Sequence, residues 1–150
     1  NNEILKNLEI VCGAEDKTSD TQLKTAFEIL SKSQDISHKV LFVWDCDSSE
    51  KVKHLIDTEQ CRKFIFEQNL DNKKVTKGIE NLYPQTFFDD NIDVFYPKKT
   101  TKDSYGATKI IEEFDKNKCL KLIQQSNNKD FFQNYNVLLL AIQGLLDVNL

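Results

Sequence analysis

Two aspartates separated by one residue, Asp45 and Asp47, follow directly on an unbroken apolar run, residues 40–44. Such a run is typical of a strand covered on both faces, as in the centre of a parallel sheet. Residues two apart on an extended backbone point the same way, so both carboxylates can converge on one cation while Cys46 faces away. Neighbouring carboxylates repel unless a positive charge lies between them, and Mg²⁺ or Mn²⁺ fits that need. The spacing therefore predicts a metal site at the carboxyl end of a strand, where open α/β sheets bind ligands.

Asp47 also has a simpler explanation as a helix cap. A side-chain oxygen at the start of a helix accepts a hydrogen bond from a free backbone N–H, and a helix is predicted to begin near Ser48 or Ser49. The DxD spacing alone does not separate capping from metal binding. The position after a buried strand favours the metal site.

A further carboxylate of interest is Glu80, in the run Gly-Ile-Glu-Asn-Leu at residues 78–82. Glycine, a single carboxylate and a following Tyr-Pro pair indicate a shaped loop or a short helix. An ordinary surface glutamate is the alternative interpretation.

The elements that must position these side chains alternate between strand and helix. The pattern predicts strands at residues 8–11, 40–44, 64–66 and 92–96, the last stopped by Pro97. Ser19 or Asp20 can cap a helix after the first strand, and a helix carrying Val52, Leu55 and Ile56 follows the second. Residues 104–147 read as helical. This order predicts an α/β fold with a mostly parallel central sheet, flanked by helices and closed by a helical C-terminal end.

Length and composition indicate one ordinary globular domain. The chain has 150 residues, of which 39% are hydrophobic and 29% charged, so we expect a single domain over 1–150 with its core in residues 8–96. Its longest apolar run, residues 137–142, is far shorter than the ~18 residues of a membrane span. Its four cysteines are widely separated, which favours free thiols in a reducing cytoplasm over a zinc site.

The charge of the chain excludes bulk electrostatic binding of nucleic acid. A net charge of −4 does not attract phosphates, so any contact with DNA must be local. Two short basic runs, residues 73–77 and 98–102, can supply such a contact, although each also suits a solvated loop.

Three of these features together resemble one family. The strand and DxD unit at 40–47, the strand at 64–66 and the run at 78–82 look like the Toprim domain of overcoming-lysogenisation-defect nucleases. Members of that family join an ABC-type ATPase to a C-terminal Toprim domain, cleave DNA with divalent metal and often serve in defence against phage. The resemblance covers about residues 8 to 96. It implies Mg²⁺ or Mn²⁺ as the cofactor, with DNA and an ATPase domain of the same longer chain as partners, and allows oligomerisation through that chain.

By position, the resemblance makes Asp45 and Asp47 metal ligands and Glu80 the downstream acidic ligand. The family also uses a downstream lysine, for which Lys116 and Lys118 are candidates, and Lys118 is included among the predicted catalytic residues.

The chain departs from the family pattern at two places. A Toprim domain opens with a strand ending in Glu-Gly, but here Cys12 precedes Gly13, so we expect the glutamate and its strand upstream of Asn1. A fragment without that glutamate is expected to cut DNA poorly or not at all. Gly78 stands where some members place serine.

Two other functions fit the same residues. In a haloacid-dehalogenase-like phosphotransferase the first aspartate attacks phosphorus and the second acts as acid and base, which trapping with beryllofluoride would reveal. A degenerate Toprim module would bind a partner without cutting.

Overall fold

The computed structural model describes residues 8–10, 19–33, 36–102, 104–112, 114–126 and 128–146. Within these ranges the chain folds as a mixed α/β protein. The helices are α1 (Asp20–Leu30), α2 (Ser49–Val52), α3 (Gln85–Asp89), α4 (Ile92–Phe95), α5 (Lys116–Gln125) and α6 (Asn136–Leu146). The strands are β1 (Val40–Trp44), β2 (Cys61–Ile65), β3 (Lys98–Lys102) and β4 (Thr108–Glu112), and short 3₁₀ helices cover Cys46–Ser48, Ile79–Leu82 and Lys129–Tyr135.

Strand β1 forms where the apolar run predicts it, and it pairs in parallel with β2 from Val40↔Cys61 to Trp44↔Ile65. Strand β2 begins three residues before the predicted strand at 64–66. The described part of the chain contains this parallel pair and one antiparallel hairpin of β3 with β4. Of the mostly parallel central sheet that the sequence predicts, the described residues therefore show two parallel strands.

Helix α1 begins as the sequence predicts, with a reciprocal cap. The Ser19 hydroxyl accepts a hydrogen bond from the backbone N–H of Gln22, while the Gln22 side chain accepts one from the backbone N–H of Ser19. Its apolar face then packs on β1, where the Phe27 ring lies 5.1 Å from that of Phe42 and 6.1 Å from that of Trp44, between centroids. Burial of these rings fixes the end of β1.

A second core is built mainly from aromatic rings of the 83–96 region. Phe87, Phe88 and Phe95 are almost fully buried, with ring centroids 5.2 to 5.5 Å apart. Cys119 and Ile123 of α5 complete this cluster. Cys46, Cys61 and Cys119 are free thiols, as predicted, and Cys12 lies outside the described residues.

The predicted strand at residues 92–96 is wrong, because the segment is helix α4. Its alternating apolar pattern suggested a strand, but helical geometry carries Phe95 back onto Phe87 and Phe88. Burial of that ring outweighs the local strand propensity.

The predicted helical region at residues 104–147 is wrong in its first part. Residues 98–102 and 108–112 form the β3–β4 hairpin, which suits their threonines and isoleucines, and the chain turns at Gly106 with φ 82°. Helices α5 and α6 do form. In this described part no helix is both long and apolar enough to cross a membrane.

Two smaller predictions near the site also differ. Helix α2 is only one turn long, and Ile56 lies beyond it with 80% of its surface exposed, whereas Val52 and Leu55 are buried. Residues 8–10 are not in a strand, and Val11, the last residue of the predicted first strand, lies outside the described residues.

Candidate metal site at the end of strand β1

The chain turns sharply immediately after β1. Asp45 keeps an extended backbone, with φ −76° and ψ 174°, and Cys46 and Asp47 then enter the short 3₁₀ helix. The two aspartates are therefore not successive side chains of one extended strand, as the spacing suggested. The turn, closed by a hydrogen bond from the Ser48 N–H to the Asp45 carbonyl at 3.3 Å, brings them together instead.

Each aspartate is held by a different donor. The Ser48 hydroxyl donates to Asp45 Oδ1 at 2.7 Å, and the backbone N–H of Gly78 donates to Asp47 Oδ1 at 2.9 Å. Asp45, at the start of the 3₁₀ helix, makes no side-chain cap hydrogen bond, and neither does Ser48 at the start of α2. Asp47 connects the end of β1 to a loop 31 residues further on, so the capping interpretation does not account for it.

The two carboxyl groups lie close enough to interact strongly. The pKa of Asp45 is raised by burial and then by the negative charges of Asp47 and Asp20, against the lowering effect of the Ser48 hydrogen bond. The pKa of Asp47 is lowered, chiefly by the Gly78 N–H and also by a hydrogen bond with Asp45. A proton arriving at the pair therefore binds Asp45 and is shared with Asp47.

Asp20 and Lys51 also belong to this surface, although sequence reasoning did not assign them to it. Lys51 Nζ lies 2.6 Å from Asp20 Oδ2, and its positive charge also lowers the pKa of Asp47. Asp20 lies in the first turn of α1, 25 positions before Asp45, and looked like an ordinary N-terminal helix acid. No spacing in the sequence connects these two positions.

The loop that contacts Asp47 also carries Glu80. The Glu80 side chain is 15% exposed, and its Oε1 lies 3.1 Å from Lys116 Nζ. Gly78 adopts φ 71° and ψ 178°, which side chains rarely allow, and a Cβ there would lie 2.5 Å from Glu80 Oε2. Glycine, rather than the serine of some Toprim members, therefore suits position 78 in this chain, because it tolerates the positive φ and leaves room for Glu80.

A buried asparagine fixes the shape of this loop. The Asn81 amide donates to the carbonyls of Val75 at 2.7 Å and Asn69 at 3.1 Å, and its Oδ1 accepts from the Asn69 N–H at 2.6 Å. Asn72, also buried, donates to the carbonyls of Asn81 and Tyr83. The backbone of Gly78 is therefore presented to Asp47 by a satisfied polar network.

The predicted site residues come together only in part. Asp45 and Asp47 form a pair, and the Glu80 carboxylate lies beside Gly78, whose N–H binds Asp47. Lys116 reaches Glu80, whereas Lys118 lies 3.7 Å from Asp115 on its own helix. Across the described ranges, no group of three or more His, Cys, Asp or Glu side chains is arranged to hold a metal ion.

The donor chemistry of the aspartate pair fits a hard divalent cation, because it offers anionic oxygens that repel each other. Two carboxylates are fewer than the six oxygen ligands that Mg²⁺ prefers, so water must complete the shell.

Comparison of the chain with protein-family models, curated proteins and solved structures gives no match.

Proposed function

We propose that this chain holds a divalent cation on Asp45 and Asp47 and serves in the hydrolysis of phosphodiester bonds in DNA. The observation that carries the proposal is the interacting pair of carboxyl groups at the carboxyl end of a parallel strand. Such a pair costs free energy when both groups are charged, and a bound cation removes that cost. The resemblance of residues 40–47 and 78–82 to Toprim nucleases supports DNA as the substrate, with a role in phage defence as its biological context.

Each aspartate is positioned by its own hydrogen bond. The Ser48 hydroxyl fixes Asp45, and the Gly78 N–H fixes Asp47. When bound, the cation would activate a water molecule and stabilise the leaving oxygen of the phosphodiester. The two carboxylates contribute by setting where the positive charge lies.

Of the two candidate lysines, Lys116 is better placed to bind a phosphate group of the DNA. Its side chain is 70% exposed while its ammonium contacts Glu80, so it can donate to an anionic oxygen next to the aspartates. Glu80 orients Lys116 in this arrangement, and it becomes a third metal ligand only if that ion pair opens. Lys118 is paired with Asp115 and takes no part in the proposed site.

Plasmid nicking tests the cleavage step. With protein in excess and Mn²⁺ present, we expect slow nicking of supercoiled plasmid that is lost in Asp45→Asn and in Asp47→Asn. A charge-matched control is Asp71→Asn, which removes one exposed carboxylate outside the proposed site. Equal nicking by wild type and Asp45→Asn would contradict the proposal.

A second candidate function is a metal-binding module that does not cut. It is favoured by the Glu80–Lys116 ion pair, because Glu80, the third predicted carboxylate of the site, is paired with a lysine. Mn²⁺ binding that depends on Asp45 and Asp47, together with no nicking under any condition, would select this alternative.

A further inference from the structure

The hairpin of β3 and β4 is exposed on both faces near its turn. Every side chain described between residues 98 and 110 is exposed, including Lys102, Lys109 and Ile110. A two-stranded hairpin without a buried face is only marginally stable in water. Among the side chains described between residues 98 and 110, burial therefore contributes little to the stability of the hairpin.

The hairpin carries positive charge in a chain that is acidic as a whole. Residues 98–112 contain four lysines and two carboxylates, whereas the net charge of the chain is −4. The register pairs Lys102 with Thr108 and Thr101 with Lys109, so these two lysines lie on opposite faces of the ribbon. Lysines and threonine hydroxyls are common partners of DNA phosphates.

The base of the hairpin is anchored at both ends. The Tyr96 ring lies 5.5 Å from that of Phe114, between centroids, and the Asp115 N–H donates to the Phe95 carbonyl at 2.7 Å. The Tyr96 hydroxyl also donates to the Lys74 carbonyl at 2.9 Å. This contact brings the basic run at 73–77 to the foot of the hairpin, so the two basic runs of the sequence become neighbours.

We propose that this hairpin is a ribbon that enters the major groove of duplex DNA, which gives the proposed nuclease function its means of holding substrate. Two strands about 4.8 Å apart fit a groove about 12 Å wide, and phosphates on both walls would meet lysines on both faces. The deep, narrow major groove of A-form RNA does not admit such a ribbon. Lys116, which contacts Glu80, follows Asp115 at the base, so DNA held here lies beside the candidate metal site.

The test is binding of a fluorescent DNA duplex to the full chain in EDTA, at about 50 mM and about 200 mM salt. Lys102→Ala with Lys109→Ala should weaken binding about tenfold at the lower salt and reduce the salt dependence by about two charges. Lys102→Arg with Lys109→Arg should bind as wild type does, because charge and reach are kept. The control Lys32→Ala with Lys129→Ala removes two exposed lysines elsewhere and should change affinity less than twofold.

Three outcomes would overturn this inference: no duplex binding by wild type at the lower salt, equal weakening by the control pair, or tighter binding of duplex RNA than of duplex DNA. Circular dichroism of each variant verifies that it is folded. Because EDTA removes the cation, loss of binding here does not depend on Asp45 and Asp47. Mn²⁺ binding by the hairpin variants should be unchanged, which separates failure of the hairpin from failure of the metal site.

Discussion

At the scale of single residues, Asp45 shows a conflict between stability and function. Its carboxyl group is partly buried beside Asp47 and near Asp20, and both neighbours raise its pKa. An arrangement that disfavours charge in the absence of a cation suits a cation site, since the binding energy of the ion can offset the repulsion.

Asp45→Asn should therefore stabilise the metal-free protein at neutral pH. An asparagine oxygen still accepts the Ser48 hydrogen bond, while the repulsion disappears, so the melting temperature in EDTA should rise by on the order of 1–2 °C after allowance for solvent screening. The raised pKa of Asp45 means that the folded wild-type protein binds a proton at Asp45 more tightly than the unfolded chain does. Protonation removes the repulsion, so wild type gains the stability that the variant already has as pH falls through the pKa of Asp45. The difference between variant and wild type should vanish in acid. A lower melting temperature for the variant at neutral pH would contradict this account.

Gly78 is the second residue at which the local geometry is decisive. Gly78→Ala should destabilise the fold by about 1–3 kcal/mol, because alanine is strained at φ 71° and its Cβ would displace the Glu80 carboxylate. Urea unfolding monitored by Trp44 fluorescence measures the change. Gly144→Ala is the matched control: its Cβ would meet nothing within 4 Å, and α6 should gain up to about 1 kcal/mol. Equal effects of the two substitutions would show that Gly78 is not specially required.

At the scale of elements, the loop from Asn69 to Tyr83 combines buried polar contacts with the buried side chains of Val75, Leu82 and Tyr83. Asn81 and Asn72 lie buried in it and bond to its backbone at several points. The loop carries Gly78 and Glu80, so its polar network couples the two halves of the candidate site.

Asn81→Ala should cost about 2–4 kcal/mol, because it leaves the Asn69 N–H and the Val75 carbonyl without their buried partner. Denaturant unfolding gives the free energy. Gln68→Ala, immediately before this loop, removes an exposed hydrogen bond to the Thr76 carbonyl and should cost no more than about 0.5 kcal/mol. A small loss in Asn81→Ala would mean that water replaces the asparagine, and that the loop does not depend on it.

The elements that the sequence predicts well are those in which local signals and burial agree. Strand β1 has a continuous apolar run in which Phe42 and Trp44 are buried, and α1 has both a capping box and an apolar face. The predictions for the segments that form helix α4 and the β3–β4 hairpin are wrong for opposite reasons. Burial of Phe95 turns a strand-like pattern into a helix, while Ile110, in the region predicted to be helical, lies exposed in the hairpin. Neither outcome is encoded in the periodicity of the segment itself.

At the scale of the whole molecule, the candidate site joins two hydrophobic clusters. Asp45 and Asp47 follow the strand that supports the first, around Phe27 and Trp44, and Glu80 precedes the aromatic residues of the second. The Gly78 N–H to Asp47 contact connects them. The DxD pair could be predicted from its position after β1, whereas the contributions of Gly78, Lys116 and Asp20 depend on tertiary contacts that no spacing in the sequence specifies.

The measurement that tests the central claim most directly is Mn²⁺ binding to the full chain, followed by water-proton relaxation. We expect weak binding at one site, because water must supply most of the ligands, and we expect that Asp45→Asn with Asp47→Asn abolishes it. The control Asp71→Asn with Asp90→Asn, which has the same change in charge, should bind as wild type does. Equal Mn²⁺ binding by wild type and by the Asp45→Asn, Asp47→Asn protein would contradict the assignment of a cation site to the end of β1.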